Sequence, residues 1–153
     1  MPDIPFVPAG FVPPGRLTNA RFVLEPLGPQ HNERDYAAWT SSIEEIHALP
    51  AFTDSRWPEM MTLAENLGDL ERHARDFVER TGFTYTVLDP TDNDVIGCVY
   101  IYPEKDGPGA QVRSWMRADR LELDVPLAEA VATWLADWPF SRVRYVGRPD
   151  LSR

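Results

Sequence analysis

Hydrophobic and polar positions repeat every second residue in some stretches of the chain and every third or fourth in others, and these periods mark out its elements. Arg21–Leu27 (RFVLEPL) reads as a first strand; Gly28-Pro29 ends it and opens a helix with Pro29 near its first position. Tyr36, Trp39, Ile43 and Ile46 follow at spacings of 3, 4 and 3, a helical stripe with a break near Thr40–Ser42. Ala51–Pro58 is a loop, whose Arg56 and Trp57 either line a site or anchor the loop. The next helix opens on a T-x-x-E capping box, Thr62 with Glu65. Its Leu63, Leu67, Leu70, Ala74 and Phe77 recur at 4, 3, 4 and 3, and Gly82 is placed to end it in a left-handed cap.

Three strands follow: Phe83–Leu88, Val95–Tyr102 and Ala110–Arg117. They are separated by the turn-forming stretches Asp89–Asp94 and Pro103–Gly109, so an antiparallel meander is predicted. Gly97 inside the middle strand marks a bulge or a close backbone approach. Asp124 reads as an N-cap with Pro126 just inside the helix. Leu127, Ala130, Val131, Trp134, Leu135 and Trp138 give that helix a wide apolar face, and Pro139 stops it. Ser141–Val146 is a last short strand. Strand, helix and strand in this order form a right-handed crossover joining two parallel strands. The fold class is therefore α/β (α+β): a mixed sheet of five to six strands, with helices on both faces.

Composition narrows the function. The 153 residues are 43% hydrophobic and 25% charged, which describes one globular domain. Fifteen basic residues against 24 acidic ones give a net charge of −9. That balance excludes a general nucleic-acid binder and opposes docking on anionic membranes. No apolar run approaches the roughly 18–20 residues of a membrane span. The opening MPDIPFVPAGFVPPG lacks a basic start and an unbroken apolar segment, so no secretory signal is read and a cytoplasmic protein is expected. Five of the 15 prolines lie in the first 14 residues. Residues 1–20 are read as an extended arm and 21–153 as the domain. The arm's Phe6, Val7, Phe11 and Val12 either trail in a disordered tail or pack over an exposed edge.

Few residues offer chemistry by spacing alone. His31, His47 and His73 lie on different predicted helices without a Cys or another His at ligand spacing, so no metal site is expected. His73, deep in a charged helix, reads as a solvated surface residue. Cys98, the only cysteine, reads as a buried structural residue. The loop Ala118–Asp124, between a strand and a helix N-terminus, can offer amides to a phosphate. Arg113, Arg117 and Arg120 add positive charge beside it; alternatively they pair with Asp119, Glu122 and Asp124. Trp115, Tyr100 and Tyr145 either line a small-molecule pocket between the last two strands or are core.

The element order, together with VIGCVYIYP and AQVRSWMRADRLELDVPLAEAVATWL, resembles the Gcn5-related N-acetyltransferase (GNAT) family over roughly Arg21–Val146. VIGCVYIYP is similar to that family's central strand. The longer stretch is similar to its acyl-CoA motif, a strand ending in aromatic-x-Arg followed by a Gly-rich loop and a helix. The resemblance implies transfer of an acetyl group from acetyl-CoA to a small amine or a peptide N-terminus. It implies a cofactor site at Trp115, Met116, Arg117, Arg120, Leu123, Asp124 and Val125. The alternative is a degenerate GNAT-like domain that serves as a binding or scaffolding module without CoA.

Two departures bear on that choice. Set on Arg120, the family's loop glycines fall at Leu123 and Val125; set on Trp115-x-Arg117, they fall at Glu122 and Asp124. The former register adds bulk, the latter places carboxylates where a phosphate would sit. The family also continues with a helix and two strands that often carry a tyrosine acid, whereas about seven residues follow the last strand here. Tyr145, on a strand, does not match that tyrosine. Glu104, ending the central strand, is a base candidate by position or else a solvated turn residue. If Ser141–Val146 is an open edge, its cover is the arm or a second copy, and a homodimer is expected.

Overall fold

The structure, a computed structural model, describes residues 4–153. Six strands form one sheet in chain order: β1 Leu17–Thr18, β2 Val23–Pro26, β3 Phe83–Leu88, β4 Val95–Pro103, β5 Ala110–Met116 and β6 Val143–Tyr145. Neighbours are antiparallel from β1 to β5, and β6 runs parallel to β5 with Ala110 beside Val143 and Val112 beside Tyr145. The mixed sheet and its parallel crossover are those expected. β1 is an addition: Leu17 and Thr18 pair with Leu24 and Val23, inside the stretch read as an arm.

Helices cover both faces. The helix α1 (Asn32–Thr40), the short α2 (Ile43–His47) and α3 (Leu63–Glu79) lie on one face. There Ala38, Trp39, Ile46 and Leu70 pack on Val23, Leu88, Cys98 and Trp115. On the other face α4 (Asp124–Leu135) sets Leu127, Ala128, Val131 and Leu135 against Leu24, Tyr85, Ile96 and Val112. Ser41 and Ser42 break the first helical stripe, where the Ser42 hydroxyl donates to the Ala38 carbonyl at 2.8 Å.

The capping box of α3 is formed, with Thr62 and Glu65 exchanging bonds of 3.0 Å. The helix ends on Arg80 at φ 66°, not on Gly82. Gly82 answers a different need, because a Cβ there would enter the Tyr102 ring. Gly97 serves both expected purposes. The β3–β4 register slips so that Val87 faces Gly97 and Leu88 faces Val95, leaving Ile96 as the extra residue. A Cβ on Gly97 would also come within 2.6 Å of the Trp115 carbonyl.

Asp124 is the first residue of α4 and not its cap; its carboxylate accepts from Arg148 at 2.6 Å. The arm packs, but not over the β6 edge. Phe6 stacks on Phe140 and Phe83, Phe11 meets Trp138, and the Tyr85 hydroxyl donates to the Pro14 carbonyl at 2.6 Å. The β6 edge is held by the chain's own residues: Val143 and Arg153 exchange backbone bonds of 2.9 and 2.8 Å, and the Tyr145 amide donates to Ser152 Oγ at 2.9 Å. The open edge from which a homodimer was expected is thus occupied. Among the described residues no helix is long and apolar enough to cross a membrane.

Candidate active site

A cleft of about 350 Å³ opens on the α1–α3 face of the sheet. Its floor is the β4–β5 pair, where period two brings Tyr100 and Tyr102 beside Arg113 and Gln111. One wall is α3, whose turn spacing aligns Asn66, Leu70 and His73. Phe52 and Trp57 close it from the segment after α2, and Asp35 enters from α1. Trp57 lines the cleft and also anchors its loop, with its ring 6.3 Å from Tyr100 and 5.6 Å from Trp39. Arg56 stays outside, 3.5 Å from Glu59.

Among the shifted titratable groups in the cleft are Asp35 and His73. Asp35 is 5% exposed and accepts from Asn66 Nδ2 at 3.1 Å, while Asn66 Oδ1 receives the Trp39 indole N–H at 3.1 Å. Burial pushes the Asp35 carboxyl up to about 6. His73, read from sequence as a solvated surface residue, is instead part of this wall. Its Nδ1 lies 2.9 Å from both the Tyr102 hydroxyl and Thr84 Oγ1, and Tyr102 donates to Asp76 Oδ2 at 2.9 Å. Burial, assisted by the Arg72 charge, lowers His73 to about 4, so it is neutral near pH 7.

The three arginines grouped by sequence separate. Arg113 faces the cleft, opposite Tyr100. Arg117 donates to Asp94 at 2.8 Å and to Asp119 at 2.6 Å, and Arg120 donates to Asp89 at 2.6 Å. Of the three carboxylates expected as their partners, only Asp119 is used. The loop Ala118–Leu123 is wound into 3₁₀ turns interrupted at Arg120 (φ −132°), and several amides are already satisfied. The Ala118 N–H donates to Ser42 Oγ at 2.8 Å, that of Arg120 to the Arg117 carbonyl at 2.8 Å, and that of Asp124 to Leu121. Pro126 has no N–H to offer. Trp115 and Met116 are buried, Leu123 is half-buried against the core, and Val125 is 55% exposed.

Between the ends of β5 and β6 lies a smaller cavity of about 80 Å³, lined by Pro50, Ser114, Asp124, Tyr145 and Gly147. The hydroxyls of Ser114 and Tyr145 meet across it at 2.5 Å. Strand parity puts Tyr100 and Trp115 on the opposite sheet face from Tyr145, so the three aromatics do not line one pocket. Glu104 is not a free turn residue: Arg144 grips it at 2.7 and 2.8 Å and holds its carboxyl below the usual range. Cys98 is fully buried, as expected, and burial raises its thiol.

No family model matches the chain, and no curated protein sequence does either. Solved structures do. A ribosomal-protein-S5-alanine acetyltransferase from Vibrio fischeri is 12% identical, with a TM-score of 0.65 over 84% of this chain and 71% of that one. The fold is that of the GNAT acetyltransferases. Another GNAT-fold structure, from Salmonella typhimurium, is an acetyl transferase that modifies the N-terminal serine of ribosomal protein L7/L12; it is 10% identical, with a TM-score of 0.64 over 82% of this chain and 70% of its own. A third, the microcin C7 self-immunity acetyltransferase in complex with acetyl-CoA and AMP, is 13% identical, with a TM-score of 0.66 over 82% and 68%. The loop before α4 is the one that the sequence resemblance reads as an acyl-CoA loop.

The sequence singles out the loop before α4 and gives little sign of the cleft. Asp35 and Asn66 carry no motif. The one available signal is that Asn66 and His73 lie seven residues apart on α3, hence on one helix face.

Proposed function

We propose that the chain transfers an acetyl group from acetyl-CoA to an amine held in the Asp35–His73 cleft. What supports this reading most is that the cleft and the parallel β5–β6 pair share strand β5, so an acceptor on one flank meets a donor on the other. Trp115 and Met116 would carry the donor along their backbone, with Arg117, Arg120, Leu123, Asp124 and Val125 around its phosphates. Bound acetyl-CoA supplies the activated acyl group. The chain's residues fit it in part: the strand and helix start are present, while Leu123 and Val125 in one register, or Glu122 and Asp124 in the other, stand where small residues would admit a phosphate.

On the acceptor side, Asp35 pairs with the incoming ammonium and takes its proton. Its carboxyl, pushed up to about 6, is close enough to neutrality to serve as a general base. Neutral His73, fixed by Tyr102 and Asp76, accepts a hydrogen bond from the same amine and orients it. The acceptor is a small amine or a peptide N-terminus, and the L7/L12-modifying structure is a precedent for the latter. The reaction would run in the cytoplasm. A homodimer would form through a surface other than the β6 edge, and light scattering on the full chain and on a chain starting at Thr18 reads it.

One observation favours a different reading, a binding module without CoA: Arg117 and Arg120 are already matched by Asp94, Asp119 and Asp89. Mass spectrometry after incubation with acetyl-CoA and a panel of small amines and peptides separates the two. Acetylated product that falls about 10²-fold or more in Asp35→Asn supports transfer. No acetylation of any acceptor leaves the binding module.

A further inference from the structure

Arg113 is a cation without a partner. Its Nε is enclosed and has no hydrogen-bond acceptor, and among the described residues its guanidinium forms no ion pair. The other arginines around it are engaged: Arg144 with Glu104 and Arg72 with Asp69. Asp35, in the same cleft, is a buried carboxylate without a cation. Arg113 comes from β5 and Asp35 from α1, and they do not bond to each other. Leaving both charges unpaired is costly in a partly enclosed site. Leu27, Phe52, Trp57 and Tyr100 line the same cleft with apolar surface.

We infer that the acceptor is an amine that also bears a carboxylate, bound with its carboxylate on the Arg113 guanidinium, its ammonium toward Asp35 and an apolar body against Trp57 and Phe52. The inference rests on the acyl-transfer reading for the identity of the acceptor, but the carboxylate contact itself does not need a donor. A guanidinium presents paired N–H donors that match a carboxylate in plane, which an ammonium cannot do. The cleft volume of about 350 Å³ suits an amino acid or the first residues of a peptide. A free amino acid and a peptide with an acidic residue near its N-terminus offer the same two charges.

The test is calorimetric titration of the full chain, without acetyl-CoA, using L-phenylalanine and L-phenylalaninamide. These probes share ammonium and ring and differ in the carboxylate. The acid is expected to bind at least about tenfold tighter than the amide. Arg113→Gln should erase that preference with the amide affinity unchanged, and Arg113→Lys should restore part of it. Equal affinity for acid and amide, a preference that survives Arg113→Gln, or no binding of either at millimolar concentration overturns the inference. A peptide beginning Phe-Glu that competes better than free phenylalanine identifies the peptide source; the reverse identifies the free acid. A carboxylate preference without acetyl-CoA binding would instead overturn the acyl-transfer reading, so the two fail separately.

Discussion

Arg148 donates to Asp124 at 2.6 Å, and both side chains are less than one-fifth exposed. The pair ties the segment after β6 to the first residue of α4, and it holds a carboxylate at the helix start where a phosphate would gain from the dipole. Asp124→Gly is expected to strengthen acetyl-CoA binding. It should also lower stability by about 1–3 kcal/mol, because Arg148 is left without its partner in a partly screened site. Glu122→Gly, at an exposed position, should strengthen binding without that loss. Calorimetric titration and thermal melts read both.

Asp35 and His73 give the stability opposite pH dependences. His73 is lowered to about 4 from its ordinary 6.5, so its contribution is complete above pH 6.5 and is lost as pH falls toward 4. Asp35 is raised to about 6 from 3.8, so it costs stability above pH 6, and that cost is relieved as pH falls toward 3.8. Asp35→Asn keeps an oxygen for Asn66 and removes the cost. It should stabilise the chain at pH 7 by about 1–3 kcal/mol while abolishing most turnover, as expected of a site held at the expense of stability. His73→Gln should flatten the acid-side loss. Melting temperatures across this pH window check both signs.

Gly82 and Tyr102 are coupled by contact, since any Cβ at position 82 would enter the Tyr102 ring. Gly82→Ala should displace Tyr102 from His73 and Asp76 and cost about 1–3 kcal/mol. The His73 titration, followed by NMR, should move with it. An unchanged histidine titration would show that Tyr102 does not orient the ring.

The N-terminal arm is part of the fold's apolar surface. Phe6 lies 4.9 Å from Phe140 and 5.9 Å from Phe83, ring centre to ring centre, and Val7 is buried. Phe6→Ala should cost about 1–3 kcal/mol, reduced from a fully buried position because the ring is half-buried. Starting the chain at Thr18 should cost more, because Phe83 and Trp138 lose their cover. Chemical denaturation measures each.

Most of the architecture is legible in the sequence because it rests on local rules. The Thr62–Glu65 box, the period-two strands and the turn stretch Asp89–Asp94 each specify their element without distant help. The glycines are legible only in part. Gly97 announces a bulge, but Gly82 reads as a cap, since the ring it must admit belongs to Tyr102, twenty residues away in sequence. His73 misleads for the same reason. Nothing near it in the chain reveals that Tyr102 and Thr84 meet its Nδ1. Proximity groups Arg113 with Arg117 and Arg120, whereas strand pairing carries it to the cleft and leaves the others at the far end of β5. The loop before α4 is legible as a position, and Asp89 and Asp94, the partners of Arg120 and Arg117, are not, because they lie on the β3–β4 turn.

Thermal-shift titration with acetyl-CoA tests the acyl-transfer reading most directly, because a ligand that binds only the native state raises the melting temperature as its concentration grows. A rise that continues with concentration and is weakened by Arg117→Ala with Arg120→Ala is the expected result. No shift at millimolar acetyl-CoA would contradict it and leave a GNAT fold that binds without acylating.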